Sequence, residues 1–276
     1  MQMLRVFALM TGLTVLLVAA GGYFGGSTGA MIFFVIALVM NVGSYWFSDR
    51  VVLKMYGAKI VERSEAPALY DMVERLARRA EVPMPTVAIA PKQQPNAFAT
   101  GRNPEHGVVC FTQGILQALA PDELEGVTAH ELAHIKHRHM LVGTIAATMA
   151  GAVTMLATVA RWGAIFAGGR GGDRNPIAIL AMSIVAPLAA VIVQMAISRQ
   201  NEFQADRTAA EIVGTPQGLA NALRRLDSAA KQIPMDVNPA GATLAIVNPF
   251  SGRGGVSKLF STHPPMDERI ERLLAR

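Results

Sequence analysis

The stretch PDELEGVTAHELAHIKHRHMLVGTIAATMA, residues 121–150, decides how this chain folds. It begins with a proline followed by acidic residues, which is typical of a helix N-terminus, and it ends in an uncharged apolar run. Between the two ends lies His130-Glu131-Leu132-Ala133-His134. On a helix this spacing places both imidazoles on one face, one turn apart, with a carboxylate beside the metal that they bind. The stretch therefore predicts a metal-binding helix that runs without a break into a membrane span.

The two histidines need a third partner, because a catalytic zinc ion takes three protein ligands and leaves a fourth position for water. The basic residues that follow come too soon and are interpreted as a membrane-flanking cluster: Lys136, His137, Arg138 and His139. Glu202 is the best candidate for the third ligand. Asp206, four residues later on the same helix face, is expected to accept a hydrogen bond that supports the ligands. A solvated acidic face is the alternative interpretation of this pair.

Glu131 points to peptide-bond hydrolysis. A bound zinc ion polarises the scissile carbonyl and acidifies a water molecule, while Glu131 is expected to act as catalytic base and to pass the water proton to the leaving amine. A zinc-dependent chaperone or scaffold that binds unfolded segments without cutting them is the rival function. Glu131 discriminates between the two, because metal binding alone does not require it.

The composition places part of the chain in a membrane. Of its 276 residues 51% are hydrophobic and only 16% are charged, with a mean hydropathy of +0.33, against about 25% charged residues in soluble domains. Apolar segments predict two transmembrane hairpins, at 1–48 and 141–198. The two parts of a soluble domain are predicted at 49–140 and 199–276. A signal peptide is the alternative for the first apolar segment.

The charge pattern predicts an orientation. Basic residues follow the first hairpin at 50–63 and precede the second, which by the positive-inside rule places the intervening part in the cytosol. The loop of the second hairpin contradicts a clean asymmetry, because it carries three arginines and one aspartate. The net charge of +5 favours the anionic lipid of a bilayer over nucleic acid, since no basic tract is interleaved with aromatic residues. The single cysteine, Cys110, excludes an internal disulfide.

The two soluble parts are predicted to form an α+β domain. Three short runs separated by proline turns suit a small antiparallel sheet: Thr86–Ala90, Ala97–Thr100 and Gly107–Thr112. Helices are expected from Pro67 and Pro121, near 202–213 and 217–232, and from about Pro265. One short segment is interpreted as an edge strand that pairs with an extended substrate backbone, with a plain core strand as the alternative: Asn96, Ala97, Phe98 and Ala99.

Several motifs together resemble the HtpX family of bacterial membrane zinc peptidases, relatives of the CAAX prenyl proteases. Besides H-E-x-x-H at the start of a third span, these motifs are Pro95–Ala99, Ser198–Asp206 and Ser261–Pro265 with Arg269-Ile270 downstream. The resemblance covers nearly the whole chain. It implies a mainly α membrane protein of two transmembrane hairpins and a gluzincin-like α+β zinc peptidase domain. In one departure, His139 stands where the family often has an acidic residue.

The resemblance also implies the site and the biology. One Zn²⁺ per chain would be held by His130, His134 and Glu202, and His263 would donate to the oxyanion, with a position before a proline-initiated helix as its alternative role. Substrates would be unfolded or misassembled membrane and cytosolic proteins during envelope stress. The protein would lie in the bacterial inner membrane as a multi-pass protein with a cytosolic peptidase domain; a homo-oligomer is left open. A prenyl protease is the rival enzyme, although that relative usually has more spans.

Overall fold

The computed structural model describes residues 2–145, 148–149, 199–232, 244, 246 and 264–275. The order of elements is α1 (Gln2–Tyr56), β1 (Lys59–Ile60), α2 (Pro67–Ala80), β2 (Thr86–Ala90), β3 (Ala97–Thr100), β4 (Val108–Thr112), α3 (Gln113–Ala118), α4 (Pro121–Lys136), α5 (Arg199–Val213), α6 (Gln217–Gln232) and α7 (Met266–Leu274). The predicted hairpin over 141–198 lies almost wholly outside the described residues.

Helix α1 folds back on itself at Gly26, whose φ of 58° and ψ of −148° cost glycine little. The side-chain amide of Asn41 in the second arm donates to Thr14 Oγ1 in the first arm at 2.9 Å, so the two arms pack side by side. The second arm, Gly26–Tyr56, is the one helix among the described residues with the length and apolar composition of a membrane span. The apolar helix of the first arm, Val6–Ala19, is shorter.

The second arm of α1 extends beyond Ser48, the predicted end of the span. Its last two turns bury Val52, Leu53 and Tyr56 against the strands. The Tyr56 ring lies 4.5 Å from the ring of Phe98, measured between centroids. Because an α-helix is hydrogen-bonded along its whole length, this packing couples the membrane arm directly to strand β3.

The four strands form one sheet in the order β1-β2-β4-β3. The two outer pairs are antiparallel, but β2 and β4 are parallel, with Thr86 opposite Val108. The predicted antiparallel sheet is therefore wrong at its centre. The connection over 91–96 carries β3 to the far edge of the sheet, and β4 returns between β2 and β3, so that it runs parallel to β2. β1 was not predicted, because a strand of two residues leaves no periodic pattern.

The two faces of the sheet are covered by different elements. Side chains alternate along the strands, so Val87, Val109 and Phe111 join a core cluster with α2, α4 and α6. Their neighbours Ala88 and Cys110 join the cluster formed with the end of α1. Helices α2, α4 and α6 and the end of α1 therefore pack on opposite faces of the sheet.

The end of α4 differs from the prediction of an unbroken helix. α4 stops at Lys136, and Arg138 adopts a left-handed φ of 58°, which turns the chain before helical residues 139–145. The new direction lets Leu141 and Ile145 pack against the first arm of α1. The prediction missed the break because it contains neither proline nor glycine, the residues that usually mark one.

Candidate metal centre and active site

The three predicted metal ligands lie together. α4 contributes His130 and His134, whose Nε2 atoms are 3.1 Å apart. α5 contributes Glu202, whose oxygens lie 3.4 Å from His134 Nε2 and 3.7 Å from His130 Nε2. Donors about 2.0–2.1 Å from a tetrahedral zinc ion are about 3.3 Å from one another. The cluster therefore has the donor set and the dimensions of a metal site. Among the described residues, it is the one group of three or more His, Cys, Asp or Glu side chains whose ligand atoms lie close enough together to hold a metal ion.

Asp206, the predicted supporting residue, lies behind the first histidine. Its Oδ1 is 3.0 Å from His130 Nδ1, which leaves Nε2 to face the other two donors. Asp206 is buried, and burial alone would raise the pKa of its carboxyl. The charge of Arg269 and the hydrogen bonds from Arg269 and His130 outweigh burial and lower the pKa of Asp206 to about 2. Asp206 is thus an anion that orients His130, the usual support for a ligand histidine.

No role was predicted for Arg269 from the sequence, where it was noted only as part of a motif. Its side chain is 0% exposed, and it donates to both oxygens of Asp206, from Nε at 2.9 Å and from Nη2 at 2.6 Å. Nη1 lies 3.4 Å from Glu202 Oε2, and Nη2 lies 3.3 Å from His130 Nε2. A signal was available, because Arg269 shares the helical face of apolar Met266 and Leu273.

Glu131 lies between the metal cluster and the sheet. Its side chain is buried, and its Oε2 accepts a hydrogen bond from the backbone N–H of Ala99 at 2.7 Å. Ala99 belongs to β3, which is the edge strand of the sheet. The candidate base is therefore anchored to the strand predicted to bind substrate.

Strand β3 combines features of both interpretations offered for it. It is at the edge of the sheet, paired on one side with β4, as the substrate-binding interpretation requires. Its residues, 97–100, are nevertheless buried, and so is Asn96, which precedes the strand. The buried edge is covered by other parts of the chain rather than open to solvent.

The two histidines after the motif contact other parts of the domain. His139 is buried, and its ring lies edge-on to that of His134 with centroids 5.4 Å apart. His137 Nε2 is 2.9 Å from Thr208 Oγ1 on α5, and burial together with the charge of Lys136 lowers the pKa of His137. His137 therefore contacts α5, whereas His139, after the turn at Arg138, lies beside His134. His263 lies outside the described residues.

Comparison with known proteins agrees with this geometry. The chain matches Peptidase family M48 over residues 63–276. It is 57% identical to a "Protease HtpX homolog" of Gemmatimonas aurantiaca and 53% identical to one of Pelotomaculum thermopropionicum, each alignment covering 100% of this chain and 99% of the relative.

A solved structure extends the likeness to the fold. The crystal structure of S. mikatae Ste24p aligns with a TM-score of 0.52 at 18% sequence identity, covering 99% of this chain and 65% of that chain. At this identity the likeness concerns the fold alone. By the family match and the full-length identities, the chain belongs to peptidase family M48, among its HtpX proteases.

Proposed function

We propose that this protein is a membrane-bound endopeptidase that holds one Zn²⁺ through His130, His134 and Glu202. The observation that carries the proposal is the convergence of these three buried donors from two helices. Asp206 and Arg269 support the cluster from behind. When bound, a zinc ion would supply Lewis-acid polarisation of the scissile carbonyl and acidification of water. The remaining chemistry belongs to the side chains of the chain itself.

Glu131 is the proposed catalytic base. The hydrogen bond from Ala99 keeps its carboxylate beside the edge of β3, where a substrate lying along that strand would present its backbone. In this position Glu131 accepts a proton from water and returns it to the leaving amine. His263, six residues before Arg269, is the proposed donor to the developing oxyanion.

The proposed substrates are unfolded or misassembled membrane and cytosolic proteins. Asn96, Ala97, Phe98 and Ala99 would bind them through backbone hydrogen bonds, which depend little on side-chain identity. Selectivity then comes from whether a segment can become extended, and damaged proteins meet that condition. A quality-control role in envelope stress follows from such broad specificity.

The proposed location is the bacterial inner membrane, with several spans and a cytosolic peptidase domain. Support comes from the basic residues at 50–63, which lie in the last turns of the arm Gly26–Tyr56 and just beyond it. The peptidase domain would be assembled from 49–140 and 199–276, with membrane hairpins at 1–48 and 141–198.

The deciding experiment compares wild type with Glu131→Gln in detergent, using casein as an unfolded substrate. Glutamine has nearly the same shape but cannot accept the proton, so cleavage is expected to fall by about 10²- to 10⁴-fold. Zinc content and elution volume should equal those of wild type. His134→Ala is the matched control, because it should lose both activity and zinc.

Three outcomes would overturn parts of the proposal. Equal cleavage by wild type and Glu131→Gln would assign the activity to another base or to a contaminant. No cleavage by either protein across several unfolded membrane substrates would favour the zinc-dependent chaperone. Full zinc retention by Glu202→Ala would move the third ligand elsewhere.

A further inference from the structure

Two neighbouring aromatic side chains of α1 are exposed where its apolar run ends. Residues 30–48 carry no charged side chain, and at about 1.5 Å per helical residue they span about 28 Å, close to the hydrocarbon thickness of about 30 Å. Trp46 and Phe47 lie at the end of this run and are 53% and 51% exposed. Tryptophan is enriched at the depth where the lipid headgroups begin. In a bilayer, the two rings would therefore lie beside the headgroups.

An arginine faces each of these rings. The guanidinium carbon of Arg102 lies 5.1 Å from the centroid of the Trp46 ring, and that of Arg50 lies 5.8 Å from the centroid of the Phe47 ring. Both distances are within the range of about 6 Å for a cation–π contact. Arg50 belongs to the next turn of α1, whereas Arg102 belongs to the loop after β3. Two separate parts of the chain thus bring a cation to neighbouring exposed rings.

The two guanidinium groups can bind an anion. In the described parts of the chain, neither Arg50 nor Arg102 pairs with a carboxylate, although Asp49 and Glu105 are close to them in the sequence. The N–H groups of a guanidinium lie in its plane, so a ring against its face leaves them available. These N–H groups match two oxygens of one phosphate. The chemistry of the pair therefore favours a phosphate group.

The loop that carries Arg102 has a fixed backbone. Gly101 adopts a φ of 129°, and a Cβ there would lie 2.2 Å from the carbonyl oxygen of His106, so the position requires glycine. On the other side of Arg102, Asn103 Oδ1 accepts the N–H of His106 at 3.0 Å. Because the backbone on both sides is held, little of its conformational entropy is lost when the Arg102 side chain binds a ligand.

Strand β3 connects this loop to the proposed active site. Ala99 in β3 donates to Glu131, the strand ends at Thr100, and Arg102 follows two residues later. A ligand bound by Arg50 and Arg102 together would therefore join the apolar arm of α1 to the strand that anchors the proposed base.

We infer that Arg50 and Arg102 bind the phosphate of an anionic phospholipid, whose glycerol and upper acyl chains pack against Trp46 and Phe47. The inference rests on the membrane location in the proposed function and adds to it a lipid class and the residues that select it. A zwitterionic headgroup carries its own cation, which two arginines without a carboxylate partner would repel. A free phosphate ion has no apolar part to cover the exposed rings.

The first test measures which lipid contacts Trp46. Trp162→Phe removes the one other tryptophan of the sequence, so the fluorescence of this protein in vesicles reports Trp46. Brominated lipids quench tryptophan on contact. In equal mixtures of phosphatidylglycerol and phosphatidylcholine, with each lipid brominated in turn, we expect phosphatidylglycerol to be enriched beside Trp46 about fivefold or more, since each basic residue near an anionic lipid contributes about fivefold.

Variants of Arg102 identify the site. Arg102→Gln in the Trp162→Phe protein should lower this preference about fivefold, and Arg102→Lys should keep part of it, because lysine retains the charge but not the planar group. Arg79→Gln, which removes an exposed charge from α2, is the matched control and should keep the full preference. All variants should have the same melting temperature in pure phosphatidylcholine. An equal fall for Arg79→Gln would attribute the preference to net charge and overturn the site.

The second test follows the loop. Amide hydrogen exchange over residues 102–107 should be severalfold slower in phosphatidylglycerol nanodiscs than in phosphatidylcholine nanodiscs for wild type. For Arg102→Gln, the two lipids should give equal exchange. Equal exchange in wild type would contradict the inference.

These tests separate the inference from the proposed function, because neither depends on cleavage. Equal quenching of Trp46 by the two lipids would reject the lipid site and leave the membrane peptidase in place. Quenching by neither lipid would reject the membrane location and the site together. Preferential quenching by phosphatidylglycerol in a protein that cleaves no unfolded substrate would support the site and reject the peptidase.

Discussion

Arg269 is the residue on which the geometry of the proposed ligands depends. It is a fully buried cation between two buried carboxylates, those of Asp206 and Glu202. Removing one partner from such a group leaves an uncompensated charge away from water, which costs far more than an exposed ion pair contributes. Its pKa is raised, because the attraction of Asp206 outweighs the effect of burial, so Arg269 keeps its charge.

We predict that Arg269→Gln destabilises the fold by about 3–5 kcal/mol and lowers zinc occupancy, since Asp206 and Glu202 then repel each other. Arg269→Lys keeps the charge, but a lysine cannot bind both oxygens of Asp206 as the planar guanidinium does. Its stability and zinc occupancy should therefore lie between those of wild type and Arg269→Gln. Thermal unfolding and metal analysis measure both effects. A glutamine variant with the wild-type melting temperature and full zinc would contradict this role.

Acid provides the control for that prediction. The folded-state pKa of Asp206 is lowered to about 2, below an unfolded value of about 3.9. The stability contributed by its pairing is therefore fully present above about pH 4 and lost as the pH falls through about 2. In metal-free protein, the difference in stability between wild type and Arg269→Gln should shrink over the same interval.

Helix α4 can serve as the centre of the domain because two glycines let another helix approach it closely. A Cβ at Gly126 of α4 would lie 2.5 Å from the Leu219 backbone nitrogen of α6, and one at Gly218 would lie 2.4 Å from the Asp122 carbonyl oxygen. Backbone atoms cannot move aside as a flexible side chain can. The crossing therefore holds α4, with the ligand histidines, in one position.

We predict that Gly126→Ala destabilises the protein by about 1–3 kcal/mol through overpacking, although alanine favours a helix. Gly43→Ala in α1 is the matched control, because a Cβ there has no neighbour within 4 Å. It should be neutral or slightly stabilising. Thermal unfolding distinguishes the two, and an unchanged melting temperature for Gly126→Ala would mean that the helices separate easily.

At the scale of the whole molecule, the apolar arm of α1 and the proposed active site both contact strand β3. The second arm of α1 continues from its apolar segment to Tyr56, which contacts Phe98 on β3. Glu131 is bonded to the same strand. The proposed active site would thus lie near one membrane face, and the side on which it lies would decide which proteins it can reach.

We predict that this side is the cytosol, from the basic residues at the end of the apolar arm and just beyond it. A single cysteine introduced as Arg79→Cys, at an exposed position of α2, should resist an impermeant thiol reagent in intact cells and react after permeabilisation. The background variant is Cys110→Ala, although burial already raises the pKa of the Cys110 thiol to about 12. Labelling from outside intact cells would reverse the proposed topology.

The sequence by itself determined the local part of this protein. The spacing of His130 and His134 is a property of one helix, and so is that of Glu202 and Asp206. The helices that begin near Pro67 and Pro121 and the strands at 86–90 and 97–100 were also predicted at their observed positions. Helical and strand periodicities arise from neighbouring residues, so they can be recognised without knowing the fold.

Only the tertiary structure decided which residues far apart in the chain come into contact. Arg269 and Asp206 are 63 residues apart in the chain, and Asn96 and Ile246 are 150 apart; no periodicity connects them. The parallel pairing of β2 with β4 and the turn at Arg138 likewise depend on which surfaces become buried together. Burial makes these contacts selective, because only packing removes water from Arg269 and from the Asn96 side-chain amide and leaves each with the partners that the fold supplies.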